Sequence, residues 1–366
     1  MRYYIIAGEA SGDLHGANLM RAIASADPNA EIRFWGGDLM KACGGTLVRH
    51  IRDLAFMGFV EVVSHLPEVL GNIRFCKQDI LQFHPDVIVY VDYPGFNLKI
   101  AKFAHQHGFK NVHYISPQLW AWKKGRIKGM RRDLDKLCYI LPFEEDFYAH
   151  NNFPQAVYVG HPLLDAMPQH SAGGRAERLV ALLPGSRRQE VSRMLPAMLQ
   201  LAVAHPEFQF RIAGMSLLGE DFYRPLMCGL PNVSICFDTT YELLSHADSA
   251  IVCSGTATLE TALFNVPQVV CYRANQISVA LARQFVGRRI KYISLVNLIA
   301  DEPIVTELIQ NDFSDGRLEH EFGRIVNNDE VRSQMLQGYD RVRNLLGGGG
   351  ASLRTAQEII KVAKGE

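Results

Sequence analysis

Short apolar runs, separated by polar stretches of helical period, recur along almost the whole chain. Tyr3–Ala7, Val87–Val91, Val112–Ser116, Leu137–Leu141 and Val157–Gly160 are such runs in the first half. After a Gly/Ser/Pro-rich stretch at 168–175 the pattern restarts with Leu179–Leu183, Phe208–Ala213, Val233–Phe237, Ser249–Cys253 and Gln268–Tyr272. The runs are continuous and do not alternate, which suits parallel strands covered on both faces. Strands separated by helical patterns make βαβ units. Two such blocks predict an α/β chain of two doubly wound parallel-sheet domains facing a cleft. The expected division is 1–165 for a first domain and 175–339 for a second. The tail after Asn327 reads as helical and is broken at Gly347–Gly350, so helices within 340–366 are expected to pack back on the first domain or on a partner subunit. In such folds ligands bind at the carboxyl ends of the strands.

Composition narrows the chemistry. A chain of 366 residues exceeds one ordinary domain. Lys plus Arg and Asp plus Glu balance at 38 each, so no global field points to nucleic acid, and an anionic ligand must be met by a local patch. The 7 cysteines are scattered without a CxxC pair or Cys/His ligand spacing, which argues for reduced thiols and against a structural metal site. No apolar run approaches the ~20 residues of a bilayer span, and the N-terminal run is too short for a signal peptide. The expectation is a soluble protein, or one that sits on a membrane surface.

Two turns in the second block suit phosphate. In SGTATLETA, Ser254, Gly255 and Thr256 follow a strand and open a helix, so their amides lie at a helix N-terminus. Glu260, four residues beyond Thr256 on the same face, is placed to accept two vicinal hydroxyls, as on a ribose. An equal reading makes Ser254 or Thr256 a simple cap and Glu260 a solvated acid. In LLPGSRRQEV, Gly185 and Ser186 bring amides close to a ligand and Arg187 adds a fork suited to a diphosphate. Arg188 and Glu190 read as surface charges. Two such turns in one domain favour a nucleoside diphosphate.

The first block carries acids instead. In YYIIAGEASGDLHGANL the glycines at 8, 12 and 16 do not fit GxGxxG, which weakens a dinucleotide reading. Glu9 and Asp13 would repel pyrophosphate but suit sugar hydroxyls; Asp13 reads more simply as a helix N-cap. His15 is either a base or a plain helix residue. Asp92, ending a strand before Pro94 and Gly95, either takes a proton from a hydroxyl nucleophile or organises its own turn. His113 and His161 lack neighbouring ligands and read as structural. Trp120 and Trp122 adjoin Lys123, Lys124 and Arg126, a grouping that suits an anionic lipid surface as well as a solvated helix face. Phe56, Met57, Phe59, Val60, Val63 and Leu66 supply more bulky apolar groups than one buried stripe needs, and could cradle acyl chains.

Taken in order, AGEASGD (7–13), DLAFMGFVEV (53–62), YVDYPGFN (90–97), YISPQLWAW (114–122), LPFE (141–144), VGHPLLD (159–165), LLPGSR (182–187), SGTATLE (254–260), YR (272–273) and ISLVNLIA (293–300) resemble the lipid-A-disaccharide synthases of Gram-negative bacteria. The ordered set covers nearly the whole chain. The resemblance implies a GT-B glycosyltransferase that inverts the anomeric centre without a metal or other cofactor. It implies UDP-2,3-diacylglucosamine as donor and 2,3-diacylglucosamine 1-phosphate as acceptor, giving the β(1→6) disaccharide 1-phosphate and UDP at the cytoplasmic face of the inner membrane. It also implies pairing by exchange of C-terminal elements, which the Gly347–Gly350 hinge would permit.

On that resemblance Asp92 ranks first as general base, Glu9 second, as base or as a ligand of sugar hydroxyls, and His15 third. Gly185, Ser186, Arg187 and Ser254–Thr256 would hold the diphosphate and Glu260 the ribose. Tyr272, Arg273 and Asn297 join the donor side by the family match alone. Competing readings are another UDP-sugar enzyme of the same architecture (a muramyl-pathway transferase or a UDP-sugar epimerase), a nicotinamide oxidoreductase, and a non-catalytic lipid-binding protein.

Overall fold

The chain divides into two units, Met1–Ala166 with Leu346–Glu366, and Met167–Leu345. The computed structural model describes residues 1–54, 66–120, 125–167, 178–273 and 291–366. In the first unit β1 (Arg2–Ala7), β2 (Glu31–Gly36), β3 (Thr46–His50), β4 (Val87–Val91), β5 (Lys110–Tyr114), β6 (Lys136–Tyr139) and β7 (Ala156–Tyr158) form one sheet. Its order is β3-β2-β1-β4-β5-β6-β7, and every pairing is parallel.

Alternate residues of each strand serve opposite faces, and both faces are covered. Tyr3, Ile5, Val87 and Val89 pack with Leu19, Met20 and Ile23 of the helix Ala10–Ala26 and with Ala356, Ile359 and Val362 of the helix Ala351–Lys364. Tyr4, Ile6, Ile88 and Tyr90 pack on the other side with Ile73, Cys76 and Ile80 of the helix Leu66–Phe83 and with Phe96 and Ile100 of the helix Pro94–Gln106. Double burial is why these strands read as unbroken apolar runs.

The last helix is thus part of the first unit. Asp165 caps it by accepting the amides of Gly350, Ala351 and Ser352, and Arg354 Nε donates to Val159 O at 2.7 Å.

In the second unit β8 (Leu179–Leu183), β9 (Gln209–Gly214), β10 (Val233–Phe237), β11 (Ser249–Cys253), β12 (Gln268–Tyr272) and β13 (Thr306–Ile309) are also all parallel, in the order β10-β9-β8-β11-β12-β13. Leu179, Ala181, Leu183, Ala250 and Val252 pack against Leu243, Leu244 and Ala247 at the end of the helix Thr240–His246.

The apolar-run reading misses β2, β3 and β13. β2 interleaves Glu31 and Arg33 with its core residues, and Arg33 is neutralised from afar by Asp79. β3 and β13 are edge strands with half-buried polar positions, where one flank of the strand needs no apolar cover. β5 ends two residues before the predicted Ser116, because Ile115 turns into the left-handed region at φ 65°.

Candidate active site

In both sheets the strand order reverses between the first strand and the fourth, between β1 and β4 and again between β8 and β11. Loops leaving such neighbours diverge and open a crevice at the strand ends. Each unit therefore has its own strand-order reversal, and the two carry different chemistry.

In the first unit Ala7 pairs with Val91, so Gly8–Glu9 and Asp92–Tyr93 leave the sheet side by side. Tyr93 lays its ring on Gly8, where a Cβ would stand 2.3 Å from Cδ1, so only glycine fits. Asp92 and Tyr93 are both left-handed, at φ 47° and 50°, a sparsely populated conformation for residues with side chains. The turn is held by Asp92 N donating to Tyr114 O (2.9 Å) and by Asn97 Nδ2 donating to Asp92 O (2.7 Å). Burial first, and the Glu9 carboxylate second, push the Asp92 carboxyl up to about 6. Glu9 is the N-cap residue of its helix, yet its side chain makes no capping bond.

Asp13 and Glu144 tie loops of this unit together, and its buried histidines are held neutral. Asp13 sits inside the helix Ala10–Ala26 and does not cap it; its carboxylate accepts the amides of Gly37 (2.7 Å), Leu39 (3.0 Å) and Met40 (3.0 Å), closing the start of the helix Asp38–Ala42. Burial lowers His15 to about 4, and burial with the nearby His15 lowers His161 to about 3, so both are neutral at pH 7 and weak as bases. His113 is fully buried and lowered by that burial to about 3. Glu144 of LPFE is buried too, and its burial raises it to about 7; Ser116 Oγ donates to it at 2.6 Å and Leu141 N at 3.2 Å, tying the YISP and LPFE turns together.

In the second unit Leu183 pairs with Val252, and the turns 184–187 and 254–256 follow. Gly185 has φ 110°, and a Cβ there would lie 2.6 Å from Glu190 Oε2. Glu190, one turn into the helix Arg188–Ala204, is not a free surface charge. Its Oε2 accepts from Ser186 N (3.2 Å) and Arg187 N (3.3 Å), and its Oε1 lies 3.8 Å from Arg187 Nη1. The second turn exposes Gly255 and Thr256 at the start of the helix Thr256–Leu263, whose first amides have no intrahelical partner. Ser254 fixes the turn: its N donates to Cys271 O (3.0 Å) and its Oγ to Ile293 O (2.9 Å). Glu260 is raised by burial and receives Tyr241 OH at 3.1 Å, a partner the sequence reading did not name.

Of the three remaining donor-side candidates, Tyr272 is half-buried at the end of β12, its hydroxyl raised chiefly by burial. Arg273 donates to Phe313 O and covers the Phe313 ring at 4.8 Å. Asn297 is buried with its amide already committed: Nδ2 donates to Val305 O and Glu307 Oε1, both at 2.9 Å, and Oδ1 accepts Val305 N at 2.9 Å. Those bonds organise the loop before β13. Glu307 is the hub the sequence reading missed. It accepts Ile293 N (2.9 Å), Ser294 N (2.9 Å) and Ser294 Oγ (2.7 Å) besides Asn297, and so clamps the segment on which Ser254 rests.

Of the lipid-side candidates, Phe56, Met57, Phe59, Val60, Val63, Trp122, Lys123 and Lys124 lie outside the described residues, and Leu66 opens the helix Leu66–Phe83. Trp120 stands edge-on to Phe143 at 5.1 Å, and Arg126 opens the helix Arg126–Asp133. No described helix is long and apolar enough to cross a membrane.

A family model described as lipid-A-disaccharide synthetase matches residues 3–355. The lipid-A-disaccharide synthase of Trichlorobacter lovleyi is 36% identical over 99% of this chain and 98% of its own length. That of Geobacter sulfurreducens is 35% identical over 99% and 97%. Among solved structures, the UDP-GlcNAc 2-epimerase of Neisseria meningitidis bound to UDP-GlcNAc superposes with a TM-score of 0.69 at 12% identity, over 99% of this chain and 100% of that one. The Acinetobacter baumannii MurG structure superposes with 0.57 at 14%, over 98% and 99%. At such identities the likeness concerns the fold, an α/β architecture of GT-B type.

Proposed function

The chain belongs to the lipid-A-disaccharide synthase family, and from that premise we propose that Asp92 acts as general base while the two turns of the second unit hold the departing diphosphate. The enzyme is a glycosyltransferase of lipid A biosynthesis, using a UDP-sugar and a lipid acceptor. Its substrates are UDP-2,3-diacylglucosamine and 2,3-diacylglucosamine 1-phosphate. The acceptor's 6-hydroxyl attacks the anomeric carbon of the donor. Its proton passes to Asp92, the bond from that carbon to the diphosphate oxygen breaks, and the bonding pair leaves on UDP.

One observation carries this reading: the two strand-order reversals are chemically opposite. That of the first unit holds carboxyl groups, one raised to about 6 and able to take a proton near neutral pH. That of the second holds amides at two helix starts and the Arg187 guanidinium, groups that stabilise a developing diphosphate charge. Glu9, whose side chain makes no bond to its own helix, holds sugar hydroxyls beside the base. Glu260, oriented by Tyr241, accepts ribose hydroxyls. Tyr272 and Arg273 border the donor from the end of β12.

Membrane contact is peripheral. The exposed Leu70 and Leu81 lie on the helix Leu66–Phe83, apolar side chains that suit contact with a lipid surface. Pairing of two copies would replace the contacts of the last helix with the same contacts from a partner.

The test is UDP release from UDP-2,3-diacylglucosamine with and without 2,3-diacylglucosamine 1-phosphate, in detergent and excess EDTA, with products identified by mass. Acceptor-dependent UDP release and a tetraacyl disaccharide 1-phosphate are expected. Turnover of unacylated UDP-sugars with no disaccharide would leave the architecture and remove the substrates.

A further inference from the structure

Glu190 stands on the groups assigned to the donor diphosphate. Its carboxylate receives the Ser186 and Arg187 amides at 3.2 and 3.3 Å and faces the Arg187 guanidinium at 3.8 Å. A short acid three residues into a helix commonly reaches back to the first amides, and that alone would be a cap. Three features go further. The same loop uses Gly185 at a left-handed φ of 110°, and a Cβ there would meet Glu190 at 2.6 Å, so the backbone is shaped around this carboxylate. Both bonds lie at the long end of the range for an amide donor, so the carboxylate rests on the amides without closing fully. Its side chain is 32% exposed, open to rotation into solvent. The charge also reaches the end of β11, where burial first and Glu190 second raise the Cys253 thiol to about 12. It therefore lies toward the second turn as well as on the first.

We infer that Glu190 is a built-in placeholder for phosphate, a carboxylate that satisfies the amides of 186 and 187 and must be displaced when a diphosphate takes them. This rests on the reading that the 185–187 turn binds the donor diphosphate. Two N–H groups cannot serve a carboxylate and a phosphate together, and the two anions repel. The consequence is asymmetric: the loop keeps its shape without ligand charge, and the product UDP is pushed out as Glu190 returns. Glu190 is thus a positioning residue that weakens diphosphate binding and speeds product release.

The experiment is calorimetric titration of the full chain, in detergent, with UDP and with uridine. Uridine lacks the phosphates and reports the rest of the site. Glu190→Gln keeps the shape and an acceptor oxygen but drops the charge. It should bind UDP roughly tenfold tighter, about 1.4 kcal/mol, with uridine affinity unchanged and UDP inhibition of turnover correspondingly stronger. Glu190→Ala repeats the comparison should the Gln variant fold poorly. Arg187→Ala should weaken UDP at least tenfold and leave uridine alone. If Arg187→Ala weakens UDP but neither Glu190 variant tightens it, or if UDP and uridine shift together, the placeholder role is overturned and the donor reading stands. If Arg187→Ala binds UDP as the wild type does, the donor reading falls and takes the placeholder with it.

Discussion

Replacing Asp92 by Asn removes a proton acceptor while keeping the size of the side chain, and Asn tolerates the left-handed backbone found there at φ 47°. Burial, then the Glu9 charge, lift the carboxyl from 3.8 to about 6. If Asp92 must be ionised to act, about a tenth of the enzyme is competent at pH 5 and about nine tenths at pH 7, so kcat/KM should climb about tenfold across that interval. Asp92→Asn should lose about 10²–10⁴ in kcat/KM and flatten the acid limb. Glu9→Gln, which deletes the second cause of the shift, should move the limb of the otherwise wild-type enzyme to lower pH.

Stability should move the opposite way. An acid with a raised folded pKa binds its proton more tightly when folded, so stability is greatest below 3.8, falls as pH rises toward about 6, and stays reduced above. Asp92→Asn should therefore unfold later at pH 7, by up to about 3 kcal/mol before allowing for solvent at this partly exposed group. Initial rates of UDP release between about pH 5 and 8, with denaturant melts at both ends, read all of this. An Asp92→Asn enzyme within about threefold of wild type and with the same acid limb would refute the assignment.

Three further substitutions test the supports. Tyr241→Phe takes the donor from Glu260 and should raise KM for the UDP-sugar about three- to tenfold with kcat and melting temperature nearly unchanged; an unaltered KM would separate Glu260 from donor binding. Gly8→Ala drives a Cβ to 2.3 Å from the Tyr93 ring and should cost about 1–3 kcal/mol in a denaturant melt together with activity, since Asp92 precedes Tyr93; wild-type stability would mean the ring is free to yield. Glu307→Ala strands the donors of Ile293, Ser294 and Asn297 and should cost about 3 kcal/mol, with faster hydrogen exchange at the Ile293 and Ser294 amides; unchanged exchange there would deny Glu307 its clamping role.

What the sequence made legible is what depends on neighbours along the chain. Unbroken apolar runs marked the doubly covered strands, and Gly and Ser after them marked the turns, so Glu9, Asp92, Gly185–Arg187 and Ser254–Thr256 could be singled out before their strands were known to adjoin. The residues that hold those turns were hidden because their partners are remote. Glu307 acts on residues 13 and 14 positions earlier, Asn97 reaches back to Asp92 and Ile6, and Asp13 caps a helix that begins at Asp38. Nothing in a linear pattern separates such a carboxylate from a solvated one. Glu190 was misread for a different reason: its partners are local, but a cap and a surface charge share one spacing and differ only in rotamer.

The return of the last helix to the first unit has a consequence for how the chain is made. Ala356, Ile359 and Val362 complete a core begun by Tyr3 and Ile5, with all of the second unit synthesised between them. At ~5–20 residues per second, the amino-terminal sheet waits on the order of ten seconds or more on the ribosome with part of one face uncovered. The second unit, contiguous in sequence, can finish folding first. Birth order and folding order are thereby reversed, and a stop codon just before Ala351 would injure the part of the protein that was translated earliest.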